Sequence, residues 1–95
     1  MREYELTIIV HPEMDESEFS DILERVNSWI KDSGGQVLDT DIWGMRTLAY
    51  PIQKLTEGQY VHMNISIDAQ FGSELERNLG FTEPVLRYLL ISKQE

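Results

Sequence analysis

The feature that most constrains the fold is a regular alternation of apolar and polar residues in two separate stretches of the chain. The apolar positions are Tyr4, Leu6, Ile8 and Val10 in the first stretch, and Val61, Met63, Ile65 and Ile67 in the second. Side chains of an extended strand point alternately to opposite faces of a sheet, so a period of two indicates a strand with one buried face. The sequence therefore predicts two amphipathic strands.

A helix is predicted between these strands. Asp15, followed by Glu18 three residues later, forms a variant of the capping box after the turn at His11 and Pro12. Apolar residues then recur at helical spacing at Phe19, Ile22, Leu23, Val26, Trp29 and Ile30. Residues 33–35, Ser-Gly-Gly, end the pattern. The sequence predicts a helix over residues 16–32, with Trp29 in the core.

The segment before the second alternating strand predicts one arm of a long hairpin. An extended run from Val37 continues towards Tyr50, with Gly44 as a bulge or bend. Pro51 restricts the residue before it to extended geometry, so the chain should leave the strand here without coiling. A turn at residues 56–58, Thr-Glu-Gly, then leads into the second alternating strand.

A short second helix is predicted from apolar residues spaced by four, at Phe71, Leu75 and Leu79. Asp68 is its predicted N-cap, and Gly80 followed by Phe81 suggests a left-handed end with an apolar contact behind it. Residues 85–91 are rich in strand formers and predict a last strand before the polar end SKQE.

This order of elements predicts the α+β class and a ferredoxin-like split βαβ fold (βαββαβ). A four-stranded antiparallel sheet would carry both helices on one face and leave the other face open. We expect the open face to be polar, with little apolar area. Its predicted residues are Glu3, Glu5, Thr7, Tyr60, His62, Asn64, Ser66 and Arg87.

Composition narrows the possible partners. The 95 residues suffice for one core, so a single domain over residues 1–95 is expected. The absence of cysteine and the short first apolar run predict a cytoplasmic protein without a disulfide framework or signal peptide. The net charge of -9 argues against autonomous nucleic-acid binding, because phosphate contacts depend on Lys and Arg. A basic protein partner is favoured instead.

The residues that could carry chemistry do not form an active site. His11 and His62 fall on different elements, and Asp39 with Asp41 offers too few oxygen ligands for a typical cation site. The sequence contains no glycine-rich phosphate loop and no nucleophile elbow. We therefore predict no enzymatic activity, no cofactor and no metal site.

Two arginines are candidates for recognition. Arg87 could reach phosphate, or it could pair with Glu3 or Glu5 if its strand neighbours the first strand. Arg46 has no acidic residue two positions away on its own strand, so it is the stronger candidate.

Three segments carry a resemblance to a known family: MREYELTIIVHPEMDE, WGMRTLAYPIQK with the following EGQYVHMNISI, and EPVLRYLLISKQE. In this order and spacing they resemble the bacterial small ribosomal subunit protein S6 family over essentially the whole chain. The run RTLAYPI is the most specific part. The resemblance implies a ferredoxin-like, non-enzymatic component of the small ribosomal subunit. It also implies binding to the central domain of small-subunit ribosomal RNA together with ribosomal protein S18, a small basic protein.

The resemblance further implies a set of RNA- or partner-binding residues, namely Arg2, Tyr4, Arg46, Tyr50, Pro51, Lys54 and Arg87. Two other functions fit the same fold. One is a homodimeric ferredoxin-like regulatory module that binds a small metabolite. The other is an acylphosphatase-like hydrolase, but the acidic loop HPEMDE after the first strand disfavours it, since that chemistry needs an anion-binding loop with an arginine.

Overall fold

The computed structural model describes residues 1–93, so the last two residues of the polar end SKQE lie outside it. The elements in chain order are β1 (Arg2–Val10), α1 (Glu16–Asp32), β2 (Gln36–Ile52), β3 (Leu55–Ile67), α2 (Phe71–Gly80) and β4 (Val85–Ser92). The strands form one sheet in the order β2-β3-β1-β4, and all neighbours are antiparallel. The predicted ferredoxin-like fold is confirmed. Neither helix in the described residues is long and apolar enough to cross a membrane.

The core lies between the helices and one face of the sheet, as the alternation predicts. Leu6 pairs with Met63 and Ile8 pairs with Val61, and all four side chains are inaccessible to solvent. The two helices supply the facing layer, with Phe19, Ile22, Val26, Ile30, Leu75 and Leu79. Burying each such side chain stabilises the fold by about 1.5–3 kcal/mol before entropy is counted.

The predicted start of α1 is confirmed, but one of its predicted core residues is wrong. The Asp15 carboxylate accepts a hydrogen bond from the Glu18 backbone N–H at 2.8 Å, as an N-cap does. Trp29 is only half-buried and packs against the margin of the core. Ile30, the next residue, lies at the centre of the buried stripe of α1, so Trp29 lies at the edge of that stripe.

The bounds of α2 agree with the predicted helix, whereas both predicted end structures are wrong. Asp68 accepts a hydrogen bond from the Gln70 backbone N–H in the preceding turn, and Gln70 is the N-cap residue without a side-chain bond. At the other end, Phe81 has a right-handed φ of -90° and its side chain is 80% exposed. The ordinary helical hydrogen bond from Phe81 N–H to Arg77 closes the helix, so no left-handed residue is required.

The turn between β2 and β3 lies at Gln53 and Lys54, and the prediction of a turn at residues 56–58 is wrong. Gln53 and Lys54 have φ of 51° and 67°, the left-handed backbone of a two-residue hairpin turn. Gly58 instead lies inside β3, where a Cβ would come within 2.5 Å of the Ile9 side chain. This glycine therefore serves close packing rather than a turn.

Candidate interface on the open sheet face

The sheet face opposite the helices, called the open face below, carries every polar residue that was expected there. The register places Glu5 opposite Asn64, Thr7 opposite His62, and Ile9 opposite Tyr60. The expectation of little apolar area is wrong. Leu89 and Ile91 of β4 lie next to Thr7 and Glu5 in the register, and each is about half exposed: 50% and 49% respectively. The sequence of β4 is apolar on both of its faces, so its alternation is weak.

An aromatic cluster occupies the centre of the open face. The predicted irregularity at Gly44, which has a φ of +82°, is confirmed by a register shift between Ile42 and Gly44. Trp43 lies on the open face two positions after Asp41, and its ring stacks on His62 and Tyr60 at centroid distances of 5.4 and 6.3 Å. The bulge reverses the alternation that follows it, so that Gly44 and Arg46, opposite Tyr60 and Gly58, lie on the same face as Trp43.

Three carboxylates lie beside this cluster, and Glu5, Asp39 and Asp41 together are called the acidic end. Glu5 is 2.9 Å from His62 Nε2, and Asp39 accepts a hydrogen bond from the Asn64 amide at 2.8 Å. Asp41 accepts one from the Trp43 indole N–H at 3.0 Å. Each contact uses one carboxylate oxygen, which leaves the second oxygen for another molecule.

The opposite end of the open face is covered by the tip of the hairpin, and residues 47–56 are called the arm. Between the pairs Thr47 with Glu57 and Ile52 with Leu55, residues 48–51 of β2 face only residue 56 of β3. The extra length bends β2 there, and Pro51 fits because a bulge needs no amide donor from it. The arm thereby reaches back over the sheet.

A groove of about 260 Å³ lies beneath the arm. Its lining includes Ile9, Leu48, Tyr50, Tyr60, Arg87 and Leu89. The Arg87 guanidinium lies 5.5 Å from the centre of the Tyr50 ring, so a contact between the arm and β4 closes one side of the groove. Leu48 is buried against Gly58, where the missing Cβ leaves room for it.

Of the two alternatives for Arg87, pairing with Glu3 or Glu5 is wrong. Arg87 lies opposite Ile9 in the register, whereas Glu5 lies opposite Ile91, four residues further along β4. Arg46 lies across the hairpin from Gly58, and its guanidinium is 5.8 Å from the centre of the Trp43 ring. Its Nε also donates a long hydrogen bond, 3.4 Å, to the Trp43 carbonyl oxygen.

The structure divides the residues proposed for RNA or partner contact into two groups. Tyr50 and Arg87 come together at the groove, with Pro51 in the arm and Lys54 at its tip, and Arg46 lies beside the Trp43 ring. Arg2 lies at the other end of β1, opposite Ile67, and Tyr4 packs partly buried against the core on the helix side. These two are not brought to the groove.

Sequence reasoning did not select Trp43, Leu89, Asp39 or Asp41 as interface residues. A tryptophan directly before a bulge glycine is a usable signal, because the glycine marks where alternation breaks. For Leu89 the signal is that β4, a neighbour of β1, carries apolar residues on both of its faces.

Comparison with known proteins gives matches over almost the whole chain. The family model for ribosomal protein S6 matches residues 3–92. The small ribosomal subunit protein bS6 of Dictyoglomus turgidum is 42% identical over 97 aligned positions, covering 100% of both chains. That of Beutenbergia cavernae is 47% identical over 91 positions, covering 96% of this chain and 95% of the relative. A crystal structure of 30S ribosomal protein S6 from Thermotoga maritima superposes with a TM-score of 0.90 at 31% identity, covering 97% of this chain and 87% of that one.

Proposed function

Since the chain belongs to the ribosomal protein S6 family and is a protein of the small ribosomal subunit, we propose that it binds the central domain of small-subunit ribosomal RNA together with ribosomal protein S18. Membership of this family confirms the predictions of a non-enzymatic role and of a place in the cytoplasmic ribosome. The metabolite-binding regulatory module is set aside for the same reason.

The observation that carries the proposal is the charge of the chain. Its 8 Lys and Arg residues are outnumbered by 17 Asp and Glu residues, so the net charge is -9. Affinity for RNA depends strongly on cations that displace counterions from phosphates, and a chain of this charge supplies few of them. A small basic protein such as S18 would provide the missing attraction, and the pair would present a mixed surface to the RNA.

The arm and its surroundings are the proposed RNA contact of this chain. Arg46 and Lys54 are exposed there, and Arg87 lies across the groove against Tyr50. Phosphate contacts of this kind position a protein on RNA without reading its sequence. Arg2, exposed at the far end of β1, is proposed as a separate contact. The partly buried position of Tyr4 supports a role in holding β1 rather than direct contact.

The proposal predicts that RNA binding requires both proteins and weakens with salt. Filter binding would use a central-domain RNA fragment with this chain, with S18, and with an equimolar mixture of the two. We expect the mixture to bind at concentrations where this chain alone does not. We also expect its affinity to fall roughly tenfold or more between about 50 and 200 mM monovalent salt.

An RNA of equal length from another domain of the ribosomal RNA is the control, and it should gain little from the mixture. Tight, salt-insensitive binding of the central-domain fragment by this chain alone would contradict the proposal.

A further inference from the structure

A cleft lies between the last turn of α1 and the first turns of α2, on the side of the sheet opposite the open face. Its volume of about 210 Å³ gives room for one long side chain. The residues that line it are Trp29, Asp32, Ser33, Phe71, Glu74 and Asn78. We propose that this cleft binds the guanidinium group of an arginine carried by a basic polypeptide. The RNA contact proposed above does not use it.

The aromatic rings of the cleft are accessible to a planar cation. Trp29 and Phe71 are both half-buried, so each ring packs against the margin of the core and keeps part of its surface open. Within residues 1–93 no arginine or lysine makes a cation–π contact with either ring, although Arg25 lies one helical turn before Trp29. A guanidinium lies favourably over an aromatic ring, and most favourably over tryptophan.

Two carboxylates border the same cleft, one from each helix. Asp32 and Glu74 are both exposed. Across the described part of the chain, no Lys or Arg nitrogen lies within 4.0 Å of either carboxylate, although Arg77 follows Glu74 by three residues on α2. A guanidinium can donate hydrogen bonds from its edge to a carboxylate while its face lies on a ring, whereas a lysine ammonium has no planar face. The combination of ring and carboxylate therefore favours arginine.

The helix ends at the cleft favour a cation over an anion. The last carbonyl groups of α1 form the negative end of its dipole beside Asp32. The Ser33 hydroxyl donates to the Ile30 carbonyl oxygen at 2.7 Å, and the first two N–H groups of α2 donate to carbonyls of the preceding turn. An anionic ligand could use the Asn78 amide, but it would meet the two carboxylates.

The charge around the cleft decides which class of molecule carries the cation. Residues 13–32 and 68–83, which contain both helices, hold 11 carboxylates and 3 Lys or Arg residues, and therefore a net charge of -8. Such a surface repels the phosphates of RNA, and it also repels a second copy of this acidic chain. A basic polypeptide is attracted by the whole surface in addition to the cleft. The occupant proposed is therefore a segment with arginine among other basic residues.

The probe for this site is a capped peptide in which arginine alternates with glycine. A peptide of the same length with lysine in place of arginine is its control. The chain has two tryptophans, so Trp43→Phe leaves Trp29 as the only indole whose fluorescence reports binding. At about 50 mM salt we expect the arginine peptide to change this fluorescence and to bind about threefold or more tightly than the lysine peptide.

A matched pair of double variants separates the cleft from the general charge of the helices. Asp32→Ser/Glu74→Ser should weaken binding of the arginine peptide about fivefold or more in isothermal titration calorimetry, because both cleft carboxylates are lost. Glu16→Ser/Glu24→Ser removes the same charge from exposed positions on another side of α1. This control should weaken binding less than about twofold.

The ring is tested by Trp29→Leu, which keeps an apolar side chain at the margin of the core. This variant should bind the two peptides about equally, since the preference for arginine is attributed to the ring. Thermal unfolding of every variant checks that the fold is retained. If Trp29→Leu does not fold, the double variants and the two peptides decide the test.

The inference and the proposed function fail in different ways. Equal weakening by the two double variants, or equal affinity of the wild-type chain for the two peptides, would overturn the arginine site. Binding of the mixture with S18 to the central-domain RNA should be unchanged by Asp32→Ser/Glu74→Ser. A loss of that binding would assign the cleft to the RNA assembly and overturn a separate site. A wild-type mixture that does not bind the RNA would overturn the proposed function alone.

Discussion

The two faces of the sheet are built from the same strands but differ in how much of their apolar side-chain area is buried within the chain. On the helix-covered face, Leu6, Met63 and Ile65 have no solvent exposure, and each pairs with another buried residue across the strands or packs under a helix. On the open face, Trp43 and Leu89 remain partly exposed beside three carboxylates. Apolar area that a fold does not bury is available to a partner. The comparison therefore separates residues that hold the chain together from residues that can bind something else.

The largest effect on stability is expected from the covered face. Met63→Ala should lower the free energy of unfolding by about 2–5 kcal/mol, because it removes a fully buried side chain opposite Leu6 and leaves a cavity under the helices. Urea unfolding followed by circular dichroism measures the change. The matched variant on the open face, Leu89→Ala, should cost less than about 1 kcal/mol because half of that side chain is already exposed. Equal losses in the free energy of unfolding for the two variants would contradict the view that only the covered face holds the fold together.

A smaller effect is expected at Gly58, where the arm joins the sheet. Gly58→Ala should cost about 1–3 kcal/mol, because the new methyl group would lie 2.5 Å from the Ile9 side chain and 3.5 Å from Leu48. The same measurement on Gly72→Ala is the control. A Cβ at Gly72 would meet Leu90 at an ordinary 3.5 Å inside α2, and alanine is the better helix former. A neutral Gly58→Ala would mean that Leu48 and Ile9 can separate freely and that the groove is not fixed by this contact.

The covered face and the order of elements could be predicted from the sequence, because burial of one face makes apolar residues recur along the sequence with the period of a strand or a helix. The alternation in β1 and the stripe of α1 gave correct bounds, the alternation in β3 gave its buried face, and Asp15 gave the correct cap. The turn at Gln53 and Lys54 was missed because neither residue is typical of a left-handed backbone, whereas Gly58 is. Trp29 was misplaced because the helical period does not separate the centre of a stripe from its edge.

The candidate interface was less predictable, since no single periodic pattern describes it. Its geometry depends on two irregularities of β2. The alternation of the strand reverses at the Gly44 bulge, and the unequal strand lengths in the arm bring Tyr50 over the sheet to Arg87. The sequence marked both places with Gly44 and Pro51 but did not show where the following residues would point. The contact of Arg87 with Tyr50 was therefore not predicted: Tyr50 lies 37 residues earlier in the chain, so only the bent arm reveals the contact.

The smallest effect on stability, and the sharpest division between folding and binding, is expected for Arg46→Ala. Arg46 is exposed, and its contacts with Trp43 are a long hydrogen bond and a cation–π contact at 5.8 Å, so removing them should change the free energy of unfolding by no more than about 0.5–1 kcal/mol. If Arg46 contacts phosphate as proposed, binding of the mixture with S18 to the central-domain RNA should nevertheless weaken several-fold, and its dependence on salt should become shallower. Arg25→Ala on the exposed side of α1 removes the same charge far from the arm and should leave both RNA affinity and salt dependence unchanged. A large fall in melting temperature with unchanged RNA binding would place Arg46 among the residues that hold the fold, and the arm would then need another source of attraction for RNA.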